Sequence, residues 1–242
     1  MDVQKISPTS TAYCYDNISD YLTYVYLIEK KNRFYLIDTF CGPESMIPII
    51  QTIHHSPSKD LVVINTHFHW DHVWGNGCFP NHPIVSHILC REFLDKFWED
   101  QVAKNKRHFS GNVIKVLPNT TFDSKIIFHD DNIEVFSSPG HTKDCISILD
   151  HEEKILYAGD NLEKPIVYVE NKDIATYIET LKKYLIADPQ QIVAGHTLNV
   201  TKADIAKTIE YLTGLADATD QFFETEYEKT IHCQNLQTVH GR

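Results

Sequence analysis

The sequence predicts an α/β fold. Short runs rich in β-branched and aromatic residues alternate with amphipathic helical stretches, in the order β-rich block, helix, β-rich block, helix. Ligand-type side chains also recur where predicted strands end, which is where α/β sheets usually hold what they bind. No internal linker or low-complexity run breaks the chain. One domain over residues 1–242, with a short acidic C-terminal extension from about residue 216, is the expected organisation. A hydrophobic share of 42% with 23% charged residues is that of an ordinary globular protein. The formal net charge of -11 disfavours sequence-independent nucleic-acid binding, which needs clustered Lys and Arg. No apolar run approaches the length of a membrane helix, and Met1–Ser10 lacks the apolar core of a signal peptide. The expected partner is a small-molecule substrate, with neither nucleic acid nor membrane, and the expected location is the cytoplasm. The six cysteines are scattered without a Cys-x-x-Cys pair, as free thiols of a reducing compartment would be.

Taken in order, 21–29 and 33–38 read as a hairpin across the polar turn Lys30-Lys31-Asn32. A helix follows Gly42-Pro43 to about His54, with His54 and His55 on its polar end. The run 61–65 is short and wholly apolar up to Asn65, a buried strand. Strand 83–86 precedes a helix from His87 to about Asn105, on which Leu89, Phe93 and Phe97 recur every four residues as a core-facing stripe. The basic knot Lys104–Arg107 reads as a solvated helix end. Residues 120–128 and 132–137 read as two strands, and 145–149 with 154–158 as a hairpin around Asp150–Glu153. Helix 173–186 and strand 191–194 come next, then a helix opened by the capping-box pattern Thr201-Lys202-Ala203-Asp204. A final helix with a loose tail fits 216–242.

The chemistry concentrates in Asn65-Thr66-His67-Phe68-His69-Trp70-Asp71-His72, which puts three histidines and an aspartate within six positions. Imidazole nitrogens and carboxylate oxygens are ligands of choice for zinc and also suit iron or manganese. In extended backbone His67 and His69 point to the same side, so one segment could serve one ion with His67 and His69 and a second with Asp71 and His72. Catalytic zinc typically takes three protein ligands and a water. Three further strand ends offer the missing ones, each after a small residue: Gly140-His141, Gly159-Asp160 and Gly195-His196. His141 could complete the first ion and His196 the second, and Asp160 could bridge the pair. Trp70, Trp74 and Tyr168 could line a pocket beside them.

The His-x-His-x-Asp-His run at 67–72, with Pro139-Gly140-His141-Thr142, Ala158-Gly159-Asp160 and Ala194-Gly195-His196, resembles the metallo-β-lactamase-fold superfamily of metal-dependent hydrolases over roughly residues 20 to 215. The resemblance implies a four-layer αβ/βα sandwich with two metal ions at one edge of its sheets. It assigns His67, His69 and His141 to the first ion, Asp71, His72 and His196 to the second, and Asp160 to both. Hydrolysis of an ester, thioester or lactone by a hydroxide shared between the ions is the activity it implies, with zinc expected first and Asp71 handling the proton. Phosphodiesters come next. A mononuclear iron on His67, His141 and Asp160, as in thiol dioxygenase relatives, is the alternative. True β-lactamases of the superfamily generally lack a bridging aspartate at the position of Asp160, and glyoxalase II-like thioesterases carry a longer helical C-terminus. Lys143-Asp144-Cys145 departs from the Gly-Ser type turn of many relatives.

Overall fold

The computed structural model of the chain describes residues 1–16, 18, 21–219, 221 and 223–241; Asp220, Phe222 and Arg242 of the expected C-terminal extension lie outside them. Two sheets face each other. The first holds seven strands in sequence order: β1 (Asp2–Lys5), β2 (Ser10–Tyr15), β3 (Thr23–Glu29), β4 (Arg33–Ile37), β5 (Asp60–Ile64), β6 (Ile84–His87) and β7 (Thr120–Phe122). It is antiparallel from β1 to β4 and parallel from β4 to β7. The second holds β8 (Lys125–Phe128), β9 (Ile133–Ser137), β10 (Ile146–Asp150), β11 (Ile155–Tyr157) and β12 (Gln191–Val193), antiparallel except where β12 joins β11.

Strand alternation sets the layers. In β3, Tyr24, Tyr26 and Ile28 face the space between the sheets, and Val25 and Leu27 face outward. In β5 the same split puts Val62 and Ile64 inside and Leu61 and Val63 outside. Both faces are apolar, so each sheet needs cover on its outer side. Helix α1 (Ile47–His54) covers the first sheet through Ile49. The one-turn helix α2 (Trp70–Val73) follows β5, and the long α3 (Ile88–Asn105) follows β6. The second sheet sends Leu149 and Leu156 outward against α4 (Ile174–Ala187) and α5 (Lys202–Ala216). Helix α6 (Glu226–His240) lies on α5, with Leu236 and Val239 against the same cluster. Helix, sheet, sheet, helix is the expected sandwich. Each fully buried Ile or Leu in it contributes about 1.5–3 kcal/mol. Caps fix the helix starts: Asp173 accepts from Thr176 N, and Thr201 with Asp204, and Thr225 with Glu228, form capping boxes.

Several expectations change. β1 and β2 were not read from the polar N-terminus, although Ser10–Tyr15 is mostly buried against β3. The run 120–128 is not one strand: β7 and β8 belong to different sheets, and the chain crosses between them at Asp123-Ser124. On α3 the buried face is Cys90, Leu94, Trp98 and Gln101, and the stripe Leu89, Phe93 and Phe97 is half-buried beside it. His54 and His55 are exposed as expected. Among the described residues no helix is long and apolar enough to cross a membrane.

Candidate metal centre

The ends of β5, β9, β11 and β12 meet at one edge of the sandwich. Backbone bonds tie the two sheets there: Ile146 N–H donates to Thr66 O at 2.9 Å and Tyr24 N–H to Gly195 O at 2.8 Å, while the Tyr26 hydroxyl donates to Ala194 O at 2.7 Å. Gly159 takes φ 55°, which turns the chain so that Asp160 points inward. Gly195 passes so close that a Cβ there would lie 2.1 Å from Asp160 Oδ1 and 2.9 Å from His72 Cε1.

All seven residues expected from the sequence converge. Ligand atoms of His67, His69, His141 and Asp160 lie within 4.8 Å of one another, as do those of Asp71, His72 and His196. Asp160 Oδ2 joins the groups, 3.4 Å from His67 Nε2, 3.2 Å from His72 Nε2 and 3.1 Å from His196 Nε2. Asp71 Oδ2 is 3.7 Å from His72 Nε2 and 3.5 Å from His196 Nε2, and it accepts the Tyr21 hydroxyl at 3.3 Å.

The outer nitrogen of every ring is spoken for, which fixes the inner one. His141 Nδ1 donates to Tyr168 O at 2.9 Å and His196 Nδ1 to Leu22 O at 2.8 Å. His72 Nδ1 donates to Asp38 Oδ2 at 2.8 Å, and His69 Nε2 to Glu170 Oε2 at 3.1 Å. The Thr66 hydroxyl donates to Asp38 Oδ2, so its oxygen accepts His67 Nδ1–H at 3.1 Å. Each neutral ring therefore turns a lone pair inward. His69 Nδ1 lies 3.0 Å from His67 Nε2 and 3.1 Å from His141 Nε2. Lone pairs that close repel unless a proton or a cation sits among them. His72 Nε2 and Asp160 Oδ1 are buried without a hydrogen-bond partner among the described residues, at a cost of about 1–3 kcal/mol each. This donor set fits two divalent ions, with outer partners of the kind that orient metal-binding histidines.

Electrostatics divide the rings: His67 and His141 are lowered, while His69, His72 and His196 are raised, despite burial, by the carboxylates beside them, which hold a cation where a metal would otherwise sit. Burial and the neighbouring rings hold His67 well below the usual histidine range, and burial with His69 lowers His141, so both are neutral donors. Burial opposes charge on His72 and His196 too, but Asp160, and after it Asp71 with Asp38 or Glu163, outweighs it; His72 is raised well above the usual range and His196 to about 9. Burial would raise Asp160, yet His196, His72 and His67 keep it ionised, well below the carboxylate range. Burial carries Glu163 up to about 7 against the pull of His196, with a smaller push from Asp160 and Asp71.

Four supporting residues carried no motif. Asp38 stands just after β4 at φ 64°, a conformation rare outside glycine, and serves His72 directly and His67 through Thr66. Asn161 Oδ1 accepts His141 N–H at 2.9 Å while its amide donates to Ser138 O at 2.7 Å, locking two strand ends together. Glu170 and the Tyr168 carbonyl orient His69 and His141 from the stretch before α4. An apolar strand followed by a lone Asp was the one available signal, for Asp38. Of the aromatics expected to line a pocket, Trp74 is fully buried with Leu94 and Trp98; Trp70 borders a cleft beside His69. Of Lys143-Asp144-Cys145 only Lys143 is exposed.

The family model of the metallo-beta-lactamase superfamily matches residues 19–196. The chain belongs to that superfamily. It is 24% identical over 174 residues to an N-acyl homoserine lactonase of Bacillus cereus, covering 66% of this chain and 64% of that one, so it spans just under two thirds of this relative's length. It is 29% identical over 157 residues to the hydroxyacylglutathione hydrolase GloC of Haemophilus influenzae, covering 61% and 74%. A solved metallo-beta-lactamase from Pontibacter korlensis shares the fold with a TM-score of 0.67 at 19% identity, over 88% of this chain and 98% of that one.

Proposed function

We propose that the protein is a hydrolase of esters, thioesters or lactones that works with two divalent metal ions, zinc first among them. The observation that carries this is the set of five imidazoles whose outer N–H groups are all engaged, so that five inner ring nitrogens and two carboxylates face one space. His67, His69 and His141 would hold the first ion, Asp71, His72 and His196 the second, and Asp160 both. When bound, two such ions would supply an acidified water and offset charge developing on a substrate oxygen. Asp71 is the residue we assign to the proton: Tyr21 fixes its carboxylate beside the rings of His72 and His196, and the carboxylate oxygen that did not hold the ion would accept a proton from the attacking water. Acyl homoserine lactone and hydroxyacylglutathione, from the names of the two relatives, make an acyl carbon the favoured target. The anchoring of His72 and His196 favours two ions over the single iron of a dioxygenase, which would leave those rings without a task.

Elemental analysis of protein purified without added metal, paired with an ester, thioester and lactone panel, tests this. Two metal equivalents with turnover of an acyl substrate are expected. One iron per chain with oxygen uptake would overturn it.

A further inference from the structure

Two clefts flank the cluster. One lies beside His69, with Phe68, Trp70 and Phe97 among its walls. The other, of about 300 Å³, lies beside His196 and is bordered by Tyr21, Leu22, Pro165 and Tyr227, with Glu163 and Lys164 as its remaining charged groups. Lys164 is committed: its ammonium pairs at 2.9 Å with Asp204, the carboxylate that also completes the capping box of α5. Glu163 is half-buried, and among the described residues it makes no hydrogen bond and no ion pair. A carboxyl drawn partly out of water without a hydrogen bond costs free energy, which the nearby His196 offsets only in part.

Resting on the hydrolase reading above, we propose that Glu163 is a specificity residue that selects substrates carrying a cationic amine on the His196 side of the centre. An ammonium group there meets a carboxylate that forms no hydrogen bond or ion pair among the described residues, although His196 attracts it through space, in a cleft whose tyrosines Tyr21 and Tyr227 also suit a cation. An anionic substrate group meets a carboxylate and finds Lys164 already neutralised, so the cleft discriminates by repulsion as well as attraction. The first cleft, bordered by three aromatic residues and by polar groups such as Gln101 and Asn105, offers a mixed seat for the rest of the molecule.

The test uses isosteric pairs. On the alcohol side these are the butyrate esters of choline and of 3,3-dimethylbutanol; on the acyl side, the methyl esters of betaine and of 3,3-dimethylbutyrate. Comparing wild type with Glu163→Gln cancels the esters' intrinsic reactivities. In at least one pair the cationic-to-neutral ratio of kcat/KM is expected to fall about tenfold or more in Glu163→Gln, chiefly through KM. Glu163→Lys is expected to turn the preference toward the butyrate ester of 3-hydroxypropionate, a reversal that damage to the fold would not produce. Ratios unchanged in both pairs would overturn the proposal. If none of these esters is turned over, the thioester and lactone panel decides the hydrolase reading separately, and the same esters serve as calorimetric ligands. Tighter binding of the cationic member that depends on Glu163 then upholds the inference, and equal affinities end it.

Discussion

The two halves of the molecule supply the centre in opposite ways. The first sheet delivers His67, His69, Asp71 and His72 from one stretch after β5, and a single carboxylate, Asp38, steadies two of them. The second delivers His141, Asp160 and His196 from three separate strand ends, with Asn161 and the Tyr168 and Leu22 oxygens each serving one imidazole residue. Geometry in the first half is local, and one anchor serves two of its four ligands, with Glu170 and Tyr21 holding His69 and Asp71. In the second it is assembled by packing and shared among several.

The largest test of that contrast is metal removal. An ion held at a thousand times its Kd contributes about 4 kcal/mol of folding free energy. Chelation should therefore lower Tm markedly, and zinc should restore it. In Asp160→Ala, which removes the one carboxylate both clusters share, the zinc-induced rise should at least halve in scanning calorimetry. An undiminished rise would mean that the dispersed half contributes no binding. Next is the anchor: Asp38→Ala should weaken metal binding by about 10–100-fold and loosen both ions, because His72 and His67 depend on it. Asn161→Ala should disturb only the His141 side. Competition titrations with a chromophoric chelator separate these, and equal effects of the two variants would erase the distinction.

Gly195→Ala should cost about 1–3 kcal/mol through overpacking against Asp160 and drop the metal content below two per chain. Phe68→Leu, in the local half, should cost under about 1.5 kcal/mol and keep the full complement; denaturation curves with metal analysis read both. The smallest effect is at α5. Asp204→Ala should cost about 1 kcal/mol from the lost cap. Burial opposes ionisation of Asp204, but its bonds with Lys164 and Thr201 prevail and bring its pKa from 3.8 to about 2. A depressed folded pKa means the contribution is whole above about pH 4 and fades as pH falls toward 2. A wild-type-to-variant gap that widened on acidification would contradict this.

Legibility followed the same divide. His67 to His72 could be read from spacing alone because ligands two to five residues apart share backbone geometry. His141, Asp160 and His196 were ordinary turn residues one at a time and became informative only together. Asp38, Asn161 and Glu170 escaped because their roles are hydrogen bonds across 34, 20 and 101 positions, which no local pattern encodes. The seam at Asp123-Ser124 was missed for a related reason: β propensity marks a strand but not which sheet takes it. On α3 the spacing marks a helix but not its buried face, since Phe93 packs edge-on and Phe97 tilted against Phe68 and they leave the core to Leu94 and Trp98.

One oxygen atom, Asp160 Oδ2, stands between ring nitrogens of both clusters. Loading the two positions is therefore linked, and reciprocity requires that each occupant alter the other's affinity by the same factor. Stoichiometry alone would hide that cooperativity; the shape of the titration curve would display it.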